Sequence, residues 1–167
     1  MGNIILAILQ ARVSSSRLPG KVLKPILGKS MLLHQIERIL HSEKIDKLIV
    51  ATSTEFTDNH VERICQKNNI KVFRGDLNNV LDRFYHCAKQ FKPSHIVRLT
   101  GDCPLTDPQI IDQTIDKHLL TKSDYTSNCN PPTYPDGLDV EVFSFSVLKS
   151  AWQNAKSSYD KEHVTPY

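Results

Sequence analysis

Ile4-Ile5-Leu6-Ala7-Ile8-Leu9 runs without a break into Gln10-Ala11-Arg12-Val13-Ser14-Ser15-Ser16-Arg17-Leu18-Pro19-Gly20-Lys21. A short continuous apolar run ended by a polar, glycine-containing stretch has the form of a strand buried on both faces, as in the parallel sheet of an α/β protein. The stretch that follows it carries two arginines, three serines, a glycine and a lysine. Guanidinium forks, a compact ammonium, hydroxyls and free backbone N–H groups together make a cradle for a polyanion. Its place at the C-terminal end of a first strand is where open α/β sheets put their ligands. It is not a Walker A loop, because Val22 follows Gly20-Lys21 where Ser or Thr would ligate magnesium, and it is not the dinucleotide GxGxxG. The same letters also suit a solvated basic loop around a Pro19-Gly20 turn.

Outward from this stretch, short apolar runs alternate with segments of helical period, the signature of βαβ units. Strands are expected near Ile4–Leu9, Leu48–Ala51, Val72–Phe73 and Ile96–Leu99, with further strands at Tyr125–Ser127 and Val140–Phe145. Helices are expected over Met31–Leu40, after Asp58, over Asn79–Phe91 and from about Ser146 to Lys156. Asp107-Pro108 reads as an N-cap with proline at the first helical position, opening a helix to about Leu120. Asn128 to Gly137, rich in proline and asparagine and ending in Pro-Asp-Gly, reads as a loop: either plain connection or an active-site lid.

Length and charge narrow the partners. A chain of 167 residues fits one domain, 1–167, able to bury roughly 70% of its unfolded surface. A net charge of +3, with basic and acidic residues interspersed, favours a small anionic ligand over a nucleic-acid face. The cysteines at 65, 87, 103 and 129 form no CxxC pair, so neither a zinc site nor a disulfide framework is indicated. There is no basic leader with a cleavage site, no myristoylation signal (Leu6 stands where Ser or Thr is needed) and no apolar stretch near 18 residues; a cytoplasmic protein without a membrane partner is expected.

Two acidic motifs add to the basic loop. Leu99-Thr100-Gly101-Asp102-Cys103-Pro104 carries a strand into a glycine and an aspartate, a position from which a carboxylate can hold a magnesium ion bridging phosphates; an Asx-turn would use the same letters. In Pro135-Asp136-Gly137-Leu138-Asp139-Val140-Glu141-Val142, Asp139 and Glu141 share one face of a strand by its period of two. Two such carboxylates repel unless a metal or a ligand hydroxyl lies between them, although a solvent-facing edge with alternating acids explains them equally. Anion cradle and acids together point to a nucleotide with magnesium.

Six ordered blocks carry a resemblance: Gln10 to Lys21; Val50-Ala51-Thr52-Ser53; Phe73-Arg74-Gly75-Asp76 with Val80-Leu81-Asp82-Arg83; Arg98 to Pro104; Pro135 to Phe143; and Glu162-His163-Val164-Thr165-Pro166-Tyr167. They resemble the spore-coat polysaccharide biosynthesis protein F family, which is related to the cytidylyltransferases that activate sialic-acid-like and 3-deoxy-manno-octulosonate sugars. The resemblance implies a GT-A-like, Rossmann-related nucleotidyltransferase fold, three layers α/β/α with a mostly parallel mixed sheet. It implies that Arg12 and Lys21 grip the triphosphate of CTP, with Gln10 and Ala11 opening the nucleotide-binding loop and Ser15, Ser16 and Arg17 shaping it. Asp102 would hold Mg2+, with Asp139 as a second metal contact. Ala51, Thr52 and Ser53 would lie beside cytosine and ribose, and Arg74, Asp82 and Arg83 would close the nucleotide pocket. Asp139, Glu141 and Asn128 would face the sugar.

The implied reaction is in-line attack of a hydroxyl of an acidic sugar on the α-phosphorus of CTP, releasing pyrophosphate, in surface-polysaccharide synthesis. Positioning and electrostatic stabilisation carry such a transfer, and Arg12, Lys21 and Asp102 are the residues implied to supply them. His163 stands in a family-like block with no role readable from the letters, and Lys161 stands where arginine is expected before Glu-His. The chain stops at Tyr167 where the family continues, so it is expected to lack the C-terminal part that completes the sugar side and a homodimer contact. A glycosyltransferase using a nucleotide-sugar donor and a nucleotide-binding module without turnover remain alternatives.

Overall fold

The computed structural model describes residues 3–15 and 18–167; the roles expected of Ser16 and Arg17 lie outside the described residues. In chain order the elements are β1 (Ile5–Gln10), a hairpin of β2 (Pro25–Ile26) and β3 (Lys29–Ser30), α1 (Met31–Ile39), β4 (Lys47–Ser53), α2 (Asn59–Lys67), β5 (Lys71–Gly75) and α3 (Val80–Phe91). They continue as β6 (His95–Thr100), α4 (Pro108–Thr121), β7 (Tyr125–Ser127), β8 (Glu141–Ser144), α5 (Phe145–Asn154) and α6 (Ser158–His163).

One six-stranded sheet in the order β5-β4-β1-β6-β8-β7 forms the middle layer. β5, β4, β1 and β6 are parallel, while β8 runs antiparallel to both β6 and β7. The period of two divides the strands between two cores. Ala7 and Leu9 of β1, Val50 of β4 and Val97 and Leu99 of β6 pack against Leu32, Ile36 and Ile39 of α1, Val61 and Cys65 of α2, and Ile111 and Ile115 of α4. Leu6, Ile8, Ile49, Ala51, Ile96 and Phe143 pack against Leu81, Phe84 and Ala88 of α3 and Leu148 and Ala151 of α5. The expected three-layer α/β/α architecture with a mostly parallel mixed sheet is the one observed.

Side-chain caps place the helix starts. Ser30 accepts a hydrogen bond from the Leu33 amide, Asn79 from that of Asp82, and Asp107 from those of Gln109 and Ile110, with Pro108 at the first position as expected. Ser144 accepts from Val147, which ends β8 one residue earlier and starts α5 one residue earlier than the apolar pattern predicts. The β2–β3 hairpin and α6 were not anticipated, being too short for a period to register. Leu27 and Gly28 turn the hairpin with φ of 49° and 81°, the paired positive angles that a two-residue hairpin loop requires.

The topology fixes where a ligand can enter. After β5 the chain crosses to the far side of β1 to lay down β6, so the connections that leave the C-terminal ends of β1 and β6 run apart and a crevice opens at the topological switch point.

Candidate active site

The crevice begins at a close contact between the ends of β1 and β6. The Gly101 amide donates to the Gln10 carbonyl at 2.7 Å. A Cβ at position 101 would stand 2.8 Å from that carbonyl oxygen and 2.9 Å from the Ala11 Cβ, so only glycine fits. From this junction the two strand exits splay apart, one into the basic loop and the other into Asp102-Cys103-Pro104.

The basic loop is tied down at several points. Its Ala11 amide donates to the Ala51 carbonyl at 3.1 Å, and the Val13 carbonyl accepts from both Ser15 and Gly20 at 2.9 Å. The Val13 amide donates at 2.7 Å to Asp58, a fully buried carboxylate that also accepts from the Ser53 amide at 3.0 Å and from the Ser53 hydroxyl. Gly20, at φ 69°, then turns the chain so that Lys21 points back across the crevice. Its Nζ lies 2.8 Å from Asp102 Oδ2.

The resulting cleft has a volume of about 880 Å³. Gln10, Ala11, Arg12, Ser15 and Lys21 line one wall; Thr100 to Leu105 and Asp136 to Asp139 line the other, with Arg98 and His163 between them. Of the expected site residues, Gln10, Ala11, Arg12, Ser15, Lys21, Asp102 and Asp139 therefore come together in one place. The Pro135–Asp139 end of the loop after β7 forms part of the wall.

Other expected residues are engaged elsewhere. Arg74 spends its guanidinium on Glu62 and Asn59 (2.7 and 2.6 Å) and on the Ser53 and Glu55 carbonyls, holding α2 to β5 rather than closing a nucleotide pocket. Asp82 accepts from the Trp152 indole at 2.8 Å and joins α3 to α5. Asn128 spans its own loop, donating to the Leu138 carbonyl and accepting from the Val140 amide at 2.8 Å each. Ala51, Thr52 and Ser53 are buried at the end of β4, outside the cleft lining; Ser53 serves the Asp58 clamp. Arg83 opens onto a smaller pocket beside the cleft.

Glu141 also departs from expectation. β8 starts at Glu141, leaving Asp139 in the preceding loop, and the Glu141 carboxylate is buried where Arg98, Tyr125 Oη (2.6 Å) and Thr165 Oγ1 (2.7 Å) donate to it. Its oxygens are satisfied by protein groups, because a buried carboxylate is tolerable only with such partners. Burial and this neighbour push the Tyr125 hydroxyl up to about 12.

Two wall residues, Arg98 and His163, carry no role readable from the letters. Arg98 interrupts the apolar residues of β6, which is the signal that could have marked it; it donates from Nε to Gln10 Oε1 at 3.3 Å. His163 reaches the cleft through a strained turn. The Thr165 amide donates to the His163 carbonyl at 2.9 Å across Val164, which has φ 72° and ψ −50°. This is the rare, positive-φ γ-turn, here at a β-branched residue that is 2% exposed and locked in the core under α3 and α5.

The electrostatics separate the acids by role. Burial opposes ionisation of Asp102, but hydrogen bonds from Lys21 and Thr100 and the Lys21 charge outweigh it and hold the carboxyl below its ordinary value. Burial and the Asp136 charge, with smaller contributions from Glu141 and Asp102, outweigh a hydrogen bond from Cys129 and push Asp139 above its ordinary value. That mutual repulsion is the kind a divalent cation relieves, and carboxylate oxygens suit a hard cation. Among the described residues no three His, Cys, Asp or Glu side chains stand together as a metal cage. Asp102 and Asp139 fit instead an ion of the magnesium kind, held by one or two carboxylates together with substrate phosphates. Cys103, pushed up to about 11 mainly by burial, presents a neutral thiol and no nucleophile.

Comparison with known proteins shows the family. Residues 6–167 match the family described as cytidylyltransferase. The chain is 43% identical over 172 residues to the spore coat polysaccharide biosynthesis protein SpsF of Bacillus subtilis, covering 99% of this chain and 70% of that protein. It is 35% identical over 114 residues to a 3-deoxy-manno-octulosonate cytidylyltransferase of Pelobacter propionicus, covering 66% of this chain and 43% of that protein. Among solved structures, a cytidylyltransferase from Leptospira borgpetersenii superposes with a TM-score of 0.93 at 36% identity, over 98% of this chain and 69% of the other. The chain thus spans from less than half to about seven tenths of these relatives' lengths.

Proposed function

We propose that this chain, which belongs to the cytidylyltransferase family, transfers CMP from CTP to an acidic sugar with release of pyrophosphate, in the synthesis of a surface polysaccharide. The observation that carries the reading is the set Arg12, Ser15 and Lys21 placed across one cleft from Asp102 and Asp139 at the switch point of the sheet. The likeness to SpsF and to an octulosonate cytidylyltransferase supports the sugar class. CTP is a cytoplasmic nucleotide, so the reaction belongs in the cytoplasm, and among the described residues no helix is long and apolar enough to cross a membrane.

The transfer asks little covalent chemistry of the protein. A sugar hydroxyl attacks the α-phosphorus in line and gives its proton to solvent water, the new O–P bond forms, and the bond to the β-phosphate oxygen breaks with its electrons on pyrophosphate. Arg12 holds the phosphate oxygens with planar donors and Lys21 places a point charge beside the departing group. Gln10, Ala11 and Ser15 line the same wall, and the Asp58 clamp keeps the loop preorganised for developing charge. Asp102 and Asp139 would hold Mg2+, which supplies charge neutralisation and orients the phosphates. Lys21, which pairs with Asp102 at 2.8 Å, is placed to donate to a phosphate oxygen in the same cleft.

A glycosyltransferase using a nucleotide-sugar donor has no need of a triphosphate cradle, which favours nucleotidyl transfer. The test is pyrophosphate release with CTP, Mg2+ and a panel of sugar acids, alongside calorimetry with CTP. Release with a sugar acid supports the reading. CTP binding without release reduces the chain to a nucleotide-binding module, and absence of both overturns the proposal.

A further inference from the structure

Three guanidinium groups converge on a small pocket beside the main cleft. It encloses about 150 Å³ and is lined by Gln10, Arg12, Arg83 and Arg98, with Glu162 and His163 of α6. The charges on it are unevenly matched. Arg98 has its carboxylate, Glu141. Arg12 reaches only Glu162, at 3.9 Å, in an exposed pair.

Arg83 is the anomaly. It is 2% exposed, yet among the described residues no carboxylate lies at salt-bridge distance from it. Its Nη1 donates to the neutral Asp76 carbonyl at 2.7 Å, and its Nε is buried without a partner. Burial, and then the Arg12 charge, lower its pKa to about 10, which still leaves it a cation at neutral pH. The Asp58 and Asp76 carboxylates oppose that shift from beyond salt-bridge distance, and a buried cation with an orphaned donor and a second cation beside it is costly unless an anion completes it.

We infer that this pocket is an oxyanion subsite and that its occupant is the carboxylate of the acceptor sugar. The subsite stands on the arginine geometry alone; the identity of the occupant rests on the cytidylyltransferase reading. In the ring form of a 2-keto sugar acid the anomeric hydroxyl and the carboxylate share one carbon. A hydroxyl aimed at the α-phosphorus in the main cleft therefore carries its carboxylate only a few ångströms aside. The small pocket adjoins that cleft, sharing Gln10, Ala11, Arg12, Arg98 and His163 with it. Planar guanidinium donors match a planar carboxylate. A neutral sugar without an oxyanion in the same place leaves the Arg83 Nε donor unpartnered, so the pocket selects acids by penalising what lacks the charge.

The pocket can be read without knowing the sugar. The Arg83 Nε–H resonance, assigned by its correlation to the side-chain carbons, is followed by NMR while the full chain is titrated with formate, first alone and then with saturating CTP and Mg2+. A saturable formate shift with apparent affinity unchanged within about twofold by CTP supports an acceptor subsite. An Arg83 signal indifferent to formate overturns the subsite. A formate affinity lowered more than tenfold by CTP assigns the pocket to a nucleotide phosphate and overturns the occupant. CTP that fails to bind in the parallel calorimetry sinks the cytidylyltransferase reading while the formate result still decides the subsite.

Discussion

Lys21 Nζ lies 2.8 Å from Asp102 Oδ2, joining the basic loop after β1 to the acid after β6 across the switch point of the sheet. The two residues expected to hold opposite parts of one ligand, the phosphates and the metal, hold one another. A metal on Asp102 and a phosphate on Lys21 would separate them without either leaving the cleft.

Replacing Lys21 with Ala removes a charge-assisted hydrogen bond to phosphate, and CTP affinity should fall roughly 10- to 100-fold by calorimetry. The same change withdraws the hydrogen bond and the charge that hold Asp102 down, so its carboxyl should titrate at higher pH in the variant, read by carbon-detected NMR. Unchanged CTP affinity would return the loop to an ordinary solvated turn.

Gly101→Ala tests the junction of the two strands. The added Cβ meets backbone 2.8 Å away at the Gln10 carbonyl, which cannot rotate aside. Overpacking of this kind costs about 1–3 kcal/mol, or a fall in Tm of roughly 2–12 °C at this chain length, with weaker CTP binding as the loop is displaced. A differential scanning measurement that finds no change in Tm would contradict the contact.

Asp58 holds the loop from beneath. Asp58→Ala strands the Val13 amide and the Ser53 amide and hydroxyl, a loss of roughly 3–5 kcal/mol in urea unfolding. In protein still folded at low urea, CTP affinity should fall as well, because the Arg12–Ser15 wall loses its anchor. A variant with normal stability would show that the clamp carries nothing.

Acid should weaken the molecule away from the cleft. His95 Nδ1 lies 3.0 Å from His118 Nε2, whose other nitrogen lies 3.1 Å from Thr126 Oγ1, tying β6, α4 and β7 together. Burial lowers the pKa of both; His95 lowers His118 further, while Asp124 opposes the shift. Folded imidazoles with a pKa below the unfolded value of 6.5 bind fewer protons than unfolded ones. Their contribution to stability is whole above about pH 7 and is lost as pH falls through 6.5 toward the folded value. The urea midpoint should drop between pH 7.5 and 5.5, and His118→Gln should flatten that slope.

What was legible in the letters was local. Ile4 to Leu9 read as a buried strand because continuous apolar residues need two covered faces, and both cores cover it. Arg12, Lys21 and Asp102 read as site residues because polar groups directly after a parallel strand emerge at its C-terminal edge. The letters did not show that Arg74, Asp82 and Glu141 are engaged by protein partners, because those partners (Glu62 and Asn59, Trp152, and Arg98, Tyr125 and Thr165) come from other parts of the chain.

The sequence by itself determined the layered α/β sheet and a basic loop at the end of its first strand, since period and strand exits follow from neighbouring residues. Only the tertiary structure decided which charges face a ligand. Arg98 finds Glu141 43 positions away and Lys21 finds Asp102 81 positions away, whereas Arg83 is buried and finds no carboxylate among the described residues. Side-chain pairing is set by which strands lie side by side, and that order is created when the chain crosses β1 to build β6.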